Sequence, residues 1–105
     1  MAVSKDLSQG NFGNAQGALS PKPMSIASTT TIAPTTLVTL MSGTIDVATI
    51  TSPFDGEGFL FLVPTDASPG DLLTTGNILV GTTTLTQNVP VILIWNPIAA
   101  KWYVK

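Results

Sequence analysis

The sequence predicts an all-β fold: an antiparallel β-sandwich or jelly-roll-like domain preceded by an extended N-terminal arm. Three observations support this prediction. Threonine, which is β-branched and favours strands, dominates the middle of the 105-residue chain. Short apolar runs are separated by turn residues such as Pro, Gly and Asn about every 8 to 12 residues, which is typical of sandwiches and barrels. No window of about 11 residues shows sustained helical periodicity.

Residues 1–23 are predicted to form a flexible arm. They are rich in Gly, Asn and Gln, and their apolar content is too low to offset the entropy lost on ordering. Two interpretations stay open for this segment. It is either a mobile terminus without a role, or an arm that orders against a partner through its larger apolar residues, Phe12 and Leu19.

The β domain is assigned to residues 24–105, beginning with a Ser/Thr-rich strand over 25–32. Two strands, 35–41 and 44–50, flank Ser42-Gly43. Such a two-residue connection predicts a tight hairpin.

The second half of the domain contains the most apolar strands. Residues 58–64 follow a loop with Pro and Gly, and residues 89–95 form a second apolar run. Short strands are predicted over 77–80 and 82–86, and residues 101–104 close the domain.

The two most apolar strands are apolar on both faces. In the first, Leu60 and Leu62 alternate with Phe and Val, and in the second, Ile92 and Ile94 alternate with Val, Leu and Trp. One face of an antiparallel sheet commonly meets water, so a strand that is apolar on both faces needs a second cover. We therefore expect a homotrimer, with Leu60, Leu62, Ile92 and Ile94 at the subunit interface.

The charge of the chain excludes several partners. Only 10% of the residues are charged, with 4 Lys, no Arg, no His and a net charge of −2. A mildly acidic chain without arginine lacks the electrostatic footprint for nucleic acid and the basic patch that attracts anionic lipid. No apolar run approaches the roughly 20 residues of a membrane span, and the first residues lack a secretory signal pattern. We expect synthesis in a cytoplasm and no membrane partner.

The available chemistry argues against an enzyme. Without Cys or His, the chain cannot assemble the usual nucleophilic triads or a typical zinc site, and we expect no cofactor and no metal. The remaining candidates are the loop carboxylates Asp55, Glu57, Asp66 and Asp71. They leave two weaker alternatives open, a glycosidase-like carboxylate pair and a Ca²⁺ site.

Three segments carry a resemblance to a known group of proteins. They are Ile50-Thr-Ser-Pro-Phe-Asp-Gly-Glu-Gly-Phe-Leu-Phe-Leu-Val-Pro, Thr75-Gly-Asn-Ile-Leu-Val, and Trp95-Asn-Pro followed by Lys101-Trp-Tyr. Together they resemble the β-modules of bacteriophage structural proteins, which end tail and head fibres and make up small capsid decoration (cement) proteins. The resemblance covers roughly residues 45–105 and rests on strands and turns, without a catalytic motif.

The resemblance implies a virion structural role. A single module behind a polar arm is most similar to a decoration protein that binds the assembled capsid lattice, often as a trimer. Its partner would be the major capsid protein or another virion protein. Two alternatives are a carbohydrate- or receptor-binding fibre tip that uses loops 51–58 and 65–75, and a tail or baseplate subunit.

Overall fold

The computed structural model describes residues 19, 22, 24–79, 81 and 83–105. Every regular element in these residues is a β-strand, and none is a helix, so the all-β prediction is confirmed. In chain order the strands are β1 (Met24–Ala27), β2 (Thr31–Ile32), β3 (Val38–Ser42), β4 (Thr49–Ile50), β5 (Gly58–Pro64), β6 (Val91–Asn96) and β7 (Lys101–Val104).

Five of the strands form one mixed sheet in the order β1-β3-β5-β6-β7. The pairs β1/β3 and β3/β5 are parallel, whereas β5/β6 and β6/β7 are antiparallel. The remaining strands, β2 and β4, pair in parallel as a small second sheet. The prediction of a wholly antiparallel arrangement is therefore wrong for the first half of the domain.

The parallel pairs arise because the chain coils. β2 lies in the connection from β1 to β3, and β4 lies in the connection from β3 to β5. Each turn of the coil therefore adds one strand to the large sheet and one to the small sheet, as in a parallel β-helix. The register places Met24 opposite Thr39 and Val38 opposite Phe61, so each strand pairs with the strand one full turn away.

The hairpin predicted around Ser42-Gly43 does not form. Gly43 has φ of +94°, a conformation that suits a turn, but the chain then leaves the large sheet and enters β4 in the small sheet. The strands that would have formed the hairpin belong to different sheets. A turn signal shows where the chain bends, and it does not show which strand the next segment meets.

Two further predicted strands are seen only as isolated bridges in their described residues. Ile78 bridges to Trp102, and Thr83 bridges to Leu72. Residues 80 and 82 lie outside the described residues. The predicted strand over 25–32 is divided in two by a bend, after which the chain changes sheets.

The core lies between one face of the large sheet and the layer made by the small sheet and the loops. Along β5 the residues alternate between buried and half-buried, with Leu60 and Leu62 fully buried. In the register of the sheet Leu60 lies opposite Leu93, so both point to the same side. The buried core residues are Ile32, Met41, Val47, Ile50, Phe54, Leu60, Leu62, Leu72, Ile78, Leu85, Leu93 and Trp102.

Candidate functional site

The segments that carry the phage-module resemblance meet at Ile50. The backbone N–H of Ile50 donates to Asn77 Oδ1 at 2.9 Å, and Asn77 Nδ2 donates to the Ile50 carbonyl at 2.7 Å. The indole Nε1 of Trp102 donates to the same carbonyl at 2.8 Å. The side-chain amide of Asn77 thus satisfies the free edge of β4 in the way that a neighbouring strand would. We call these three residues the Ile50 clamp.

The other residues of the same segments pack around this clamp. A Cβ on Gly76 would lie 2.1 Å from the carbonyl oxygen of Ala48, so only glycine fits there. At Gly58 a Cβ would lie 2.8 Å from the ring of Phe54, so the ring would have to shift to admit it. Lys101 Nζ donates to the Gly76 carbonyl at 2.9 Å.

These contacts give a structural role to the residues behind the resemblance. The ring of Phe54 lies 6.4 Å from the ring of Trp102, and both side chains belong to the core. Buried aromatic rings with satisfied polar groups stabilise a fold and leave no face for a ligand. Phe54 and Trp102 are therefore core residues and do not contribute to an exposed surface.

The loop carboxylates do not converge. Among the described residues, no group of three or more Asp or Glu side chains is arranged to hold a metal ion. Two carboxylates instead order the backbone locally: Asp66 Oδ1 accepts from the Ser68 N–H at 2.9 Å, and Asp46 Oδ1 accepts from the Asp71 N–H at 2.8 Å. Such bonds are typical of Asp in turns and loops.

The face of the large sheet that points away from the core is apolar. In the register of the sheet, Val38 lies opposite Phe61, and Phe61 lies opposite Ile92. Two residues further along β6, Ile94 lies opposite Tyr103. No residue of β1, β3, β5 or β6 is charged. The register also places the polar residues Ser25 and Asn96 on this side, and Lys101 of β7 lies opposite Asn96 at its edge. We call this surface the outer apolar face, and its members are Val38, Leu40, Phe59, Phe61, Val63, Ile92, Ile94 and Tyr103.

An open groove of ≈ 400 Å³ lies at one end of this face. It runs along the ends of β5 and β6 to the turn after β6, where Ile98 is 97% exposed. Its walls are mostly apolar, with one carboxylate and one amide among them. The lining residues are Glu57, Gly58, Phe59, Ile92, Ile94, Trp95, Asn96, Pro97 and Ile98.

The four residues predicted for a subunit interface lie on two opposite sides of the large sheet. Leu60 and Leu62 are fully buried in the core of their own chain, so their assignment to an interface is wrong. Ile92 and Ile94 lie on the outer apolar face, where Ile92 is half-buried and Ile94 is exposed. The two pairs point to opposite sides because Leu60 is in register with Leu93, whereas Ile92 is in register with Phe61.

The two residues predicted to anchor the arm have different outcomes. Phe12 lies outside the described residues. Leu19 is half-buried and packs against the core of its own chain, and its assignment as an anchor for a partner stays a prediction. The sequence signal was an isolated leucine in a polar segment, which does not show whether its contacts are within the chain or outside it.

The described aromatic residues do not form an exposed platform. Trp102 and Phe54 are buried, and Trp95 is partly buried with its ring 5.0 Å from the ring of Trp102. Phe59 and Phe61 are half-buried and pack edge to face at 5.9 Å. Tyr103 is exposed on the outer apolar face, and its hydroxyl accepts a hydrogen bond from Asn96 Nδ2 at 2.8 Å.

Comparison with known proteins adds no relative. The chain matches no protein-family model, no curated protein and no solved structure. In the described residues there is also no helix of the length and hydrophobicity that a membrane crossing requires.

Proposed function

We propose that this protein is a virion structural protein, a capsid decoration (cement) protein that adheres to the assembled capsid lattice and stabilises it. The observation that carries the proposal is the outer apolar face, which covers one side of the large sheet without a charged residue in β1, β3, β5 or β6. Apolar surfaces of this extent mark sites of protein–protein contact. Here the contact would be between copies of this chain, and the oligomer it forms would present several arms to the lattice. The resemblance to phage β-modules indicates what kind of assembly the contact serves.

Decoration would act by mass action. A protein that binds the assembled lattice and not its free subunits shifts the assembly equilibrium towards the lattice. Such binding requires a preformed adhesive surface and no chemical step. The partner is the major capsid protein or another virion protein, and the protein would reside in the virion after synthesis in the host cytoplasm.

The N-terminal segment has a part in this proposal. Residues 1–23 would serve as an attachment arm, with Phe12 as its anchor. A polar segment that orders on binding loses some affinity to entropy but reaches over a large surface. Several arms on one oligomer would act together, because the first contact raises the effective concentration of the others.

A co-sedimentation titration tests the proposal. Purified protein is mixed with capsids that lack it and, in a parallel series, with unassembled capsid subunits. We expect saturable binding to the capsids at a fixed copy number per capsomer, and no binding to the free subunits. Failure to bind the capsids, or equal binding to free subunits, would contradict the decoration role.

A truncated protein separates the arm from the β domain in the same titration. Deleting residues 1–17 removes Phe12 and keeps Leu19 on the core. We expect this deletion to weaken capsid binding by at least about tenfold, since one lost anchor per chain is multiplied over the oligomer. Unchanged binding would assign attachment to the β domain alone.

The groove favours a second candidate, a carbohydrate- or receptor-binding fibre tip. It combines the side chain of Trp95 with Glu57 and Asn96, and sugar sites use an aromatic surface beside a few polar groups. A glycan-binding screen with the wild type and Trp95→Ala tests it. Specific binding that the substitution abolishes would favour this candidate over decoration.

The layer that faces the large sheet contains only the short strands β2 and β4, with loops on either side. We propose that this layer acts as the second half of a sandwich, because its side chains Ile32 and Ile50 join the same core as Leu60 and Leu93.

A further inference from the structure

We propose that the outer apolar face is the surface through which copies of this chain associate with one another. The occupant of the face is therefore a second copy of the same chain. This inference does not depend on the decoration role, since a fibre tip or a baseplate subunit would use the same self-association.

The geometry of the face supports an extended contact. Its side chains form a continuous band from β3 through β5 and β6 to β7, because the register places Leu40 opposite Val63 and Phe61 opposite Ile92. Val38, Leu40, Ile94 and Tyr103 are all exposed large side chains. The groove occupies only the β5–β6 end of this band, so a small ligand there would leave the β3 side uncovered.

The size of the face is close to what a specific contact needs. At about 4.8 Å per strand and about 3.3 Å per residue, its four strands and the central seven-residue strand span about 19 by 20 Å, or about 400 Å² in projection. Two such faces in contact would bury at least about 800 Å² in total, since protruding side chains add to the flat area, and specific interfaces begin at about 1,000 Å². Leaving this area in water would forgo the free energy of apolar burial.

The chemistry of the face favours its own copy as the partner. A partner with a charged surface would have to bury those charges against apolar side chains without compensating groups on β1, β3, β5 or β6. A second copy presents an equally uncharged surface. Closed symmetry is the rule for homo-oligomers. In the homotrimer that the sequence predicts, the three faces would meet around one axis, with one part of each face contacting a different part of the next.

The experiment is sedimentation equilibrium of the full chain at micromolar concentration, with two face variants and a matched control. Ile94→Asp and Leu40→Asp place a charge at opposite ends of the face. Ile45→Asp is the control, because Ile45 is 52% exposed, close to the 43% of Ile94, but lies between β3 and β4 outside the sheet. Circular dichroism shows that each variant is folded.

We expect a single species near three chains for the wild type and for Ile45→Asp. Each face variant should raise the dissociation concentration by at least about 100-fold, because it buries an unpaired charge. If a face variant fails to fold, Val38→Thr takes its place, and a smaller increase, about tenfold, is expected from its buried hydroxyl.

Two results would overturn the proposal. The first is a wild-type protein that is a monomer at micromolar concentration. The second is an oligomer that Ile45→Asp dissociates as readily as Ile94→Asp, which would place the contact elsewhere. A two-chain species that only the face variants dissociate supports the surface and corrects the number of copies. The protein that lacks residues 1–17 keeps the outer apolar face, so it should self-associate like the wild type whether or not it binds capsids. Failure of this proposal and failure of the decoration role are therefore distinguishable.

Discussion

The indole nitrogen of Trp102 donates a 2.8 Å hydrogen bond to the carbonyl oxygen of Ile50, 52 residues earlier in the chain. The same oxygen accepts a 2.7 Å bond from Asn77 Nδ2. A carbonyl oxygen has two lone pairs, so both bonds form together. Because Ile50 lies in the small sheet and Trp102 in the last strand of the large sheet, this pair joins the two layers of the domain.

Asn77→Ala should lower the free energy of unfolding by about 2 kcal/mol, because it leaves the part-buried N–H of Ile50 without a partner. Urea denaturation measures the change. Gln87→Ala is the control, since it removes an exposed hydrogen bond to the Thr65 carbonyl and should change stability by less than about 0.5 kcal/mol. Equal effects from the two variants would show that the Ile50 clamp is not a stabilising contact.

Removing the two donors to the Ile50 carbonyl should have non-additive effects on the free energy of unfolding. In a double-mutant cycle of Asn77→Ala and Trp102→Phe, the combined loss of stability should differ from the sum of the single losses by at least about 0.5 kcal/mol, because the residues share an acceptor. The cycle is measured by denaturant unfolding of all four proteins. Strict additivity would mean that the two bonds act independently.

Gly76→Ala should destabilise the protein by about 2 to 3 kcal/mol, because the added Cβ would lie 2.1 Å from a backbone oxygen that cannot move aside without disturbing β4. Gly56→Ala is the matched control, since a Cβ there meets nothing within 4 Å. Thermal unfolding should show a lower Tm for the first variant and little change for the second. A Tm that falls equally in both would contradict the steric argument.

Ala100→Gly should stabilise the protein by about 0.5 to 1 kcal/mol. Ala100 has φ of +54°, in the left-handed region that is strained for residues with a Cβ. It ends the turn between β6 and β7, where Asn96 Oδ1 accepts from the Ile98 N–H at 3.0 Å. Ala99→Gly, one residue earlier and without a positive φ, should be neutral or destabilising. Differential scanning calorimetry distinguishes the two.

Leu19→Ala should lower the free energy of unfolding by about 1 to 2 kcal/mol, because the leucine is half-buried against the core. Deleting residues 1–17, which leaves Leu19 in place, serves as the comparison. Both proteins are unfolded in urea beside the wild type. An unchanged stability in Leu19→Ala would favour the interpretation of Leu19 as a free anchor.

The sequence predicted three strands with nearly correct limits, because their own residues and the flanking turn residues were enough to identify them. The strand over 58–64 is bounded by Gly58 and Pro64, and the structure has it with those limits. The last strand, Lys101–Val104, also has its predicted limits, and the strand over 89–95 is shifted by only one or two residues. In each case apolar β-forming residues lie between turn residues, so the element can be identified without knowing its neighbours.

The sequence did not show which side chains of the strand over 58–64 lie on the outer apolar face. Alternation shows that Leu60 and Phe61 point to opposite sides, but both sides of the strand are apolar. The sequence therefore could not show which side was the core. The neighbouring strands decided it, because only the even-numbered residues of β5 face Trp102 and the small sheet.

The β character of the chain, the limits of its most apolar strands and the shortage of charge can be read from the amino-acid sequence alone. The parallel pairing of β1, β3 and β5, the path from Ser42-Gly43 into a second sheet and the contact of Asn77 with the edge of β4 are visible only in the folded chain. The difference lies in the sequence separation of the residues involved. Strand formation follows from neighbouring residues, whereas pairing depends on contacts between residues one coil apart, where side-chain burial selects the partner.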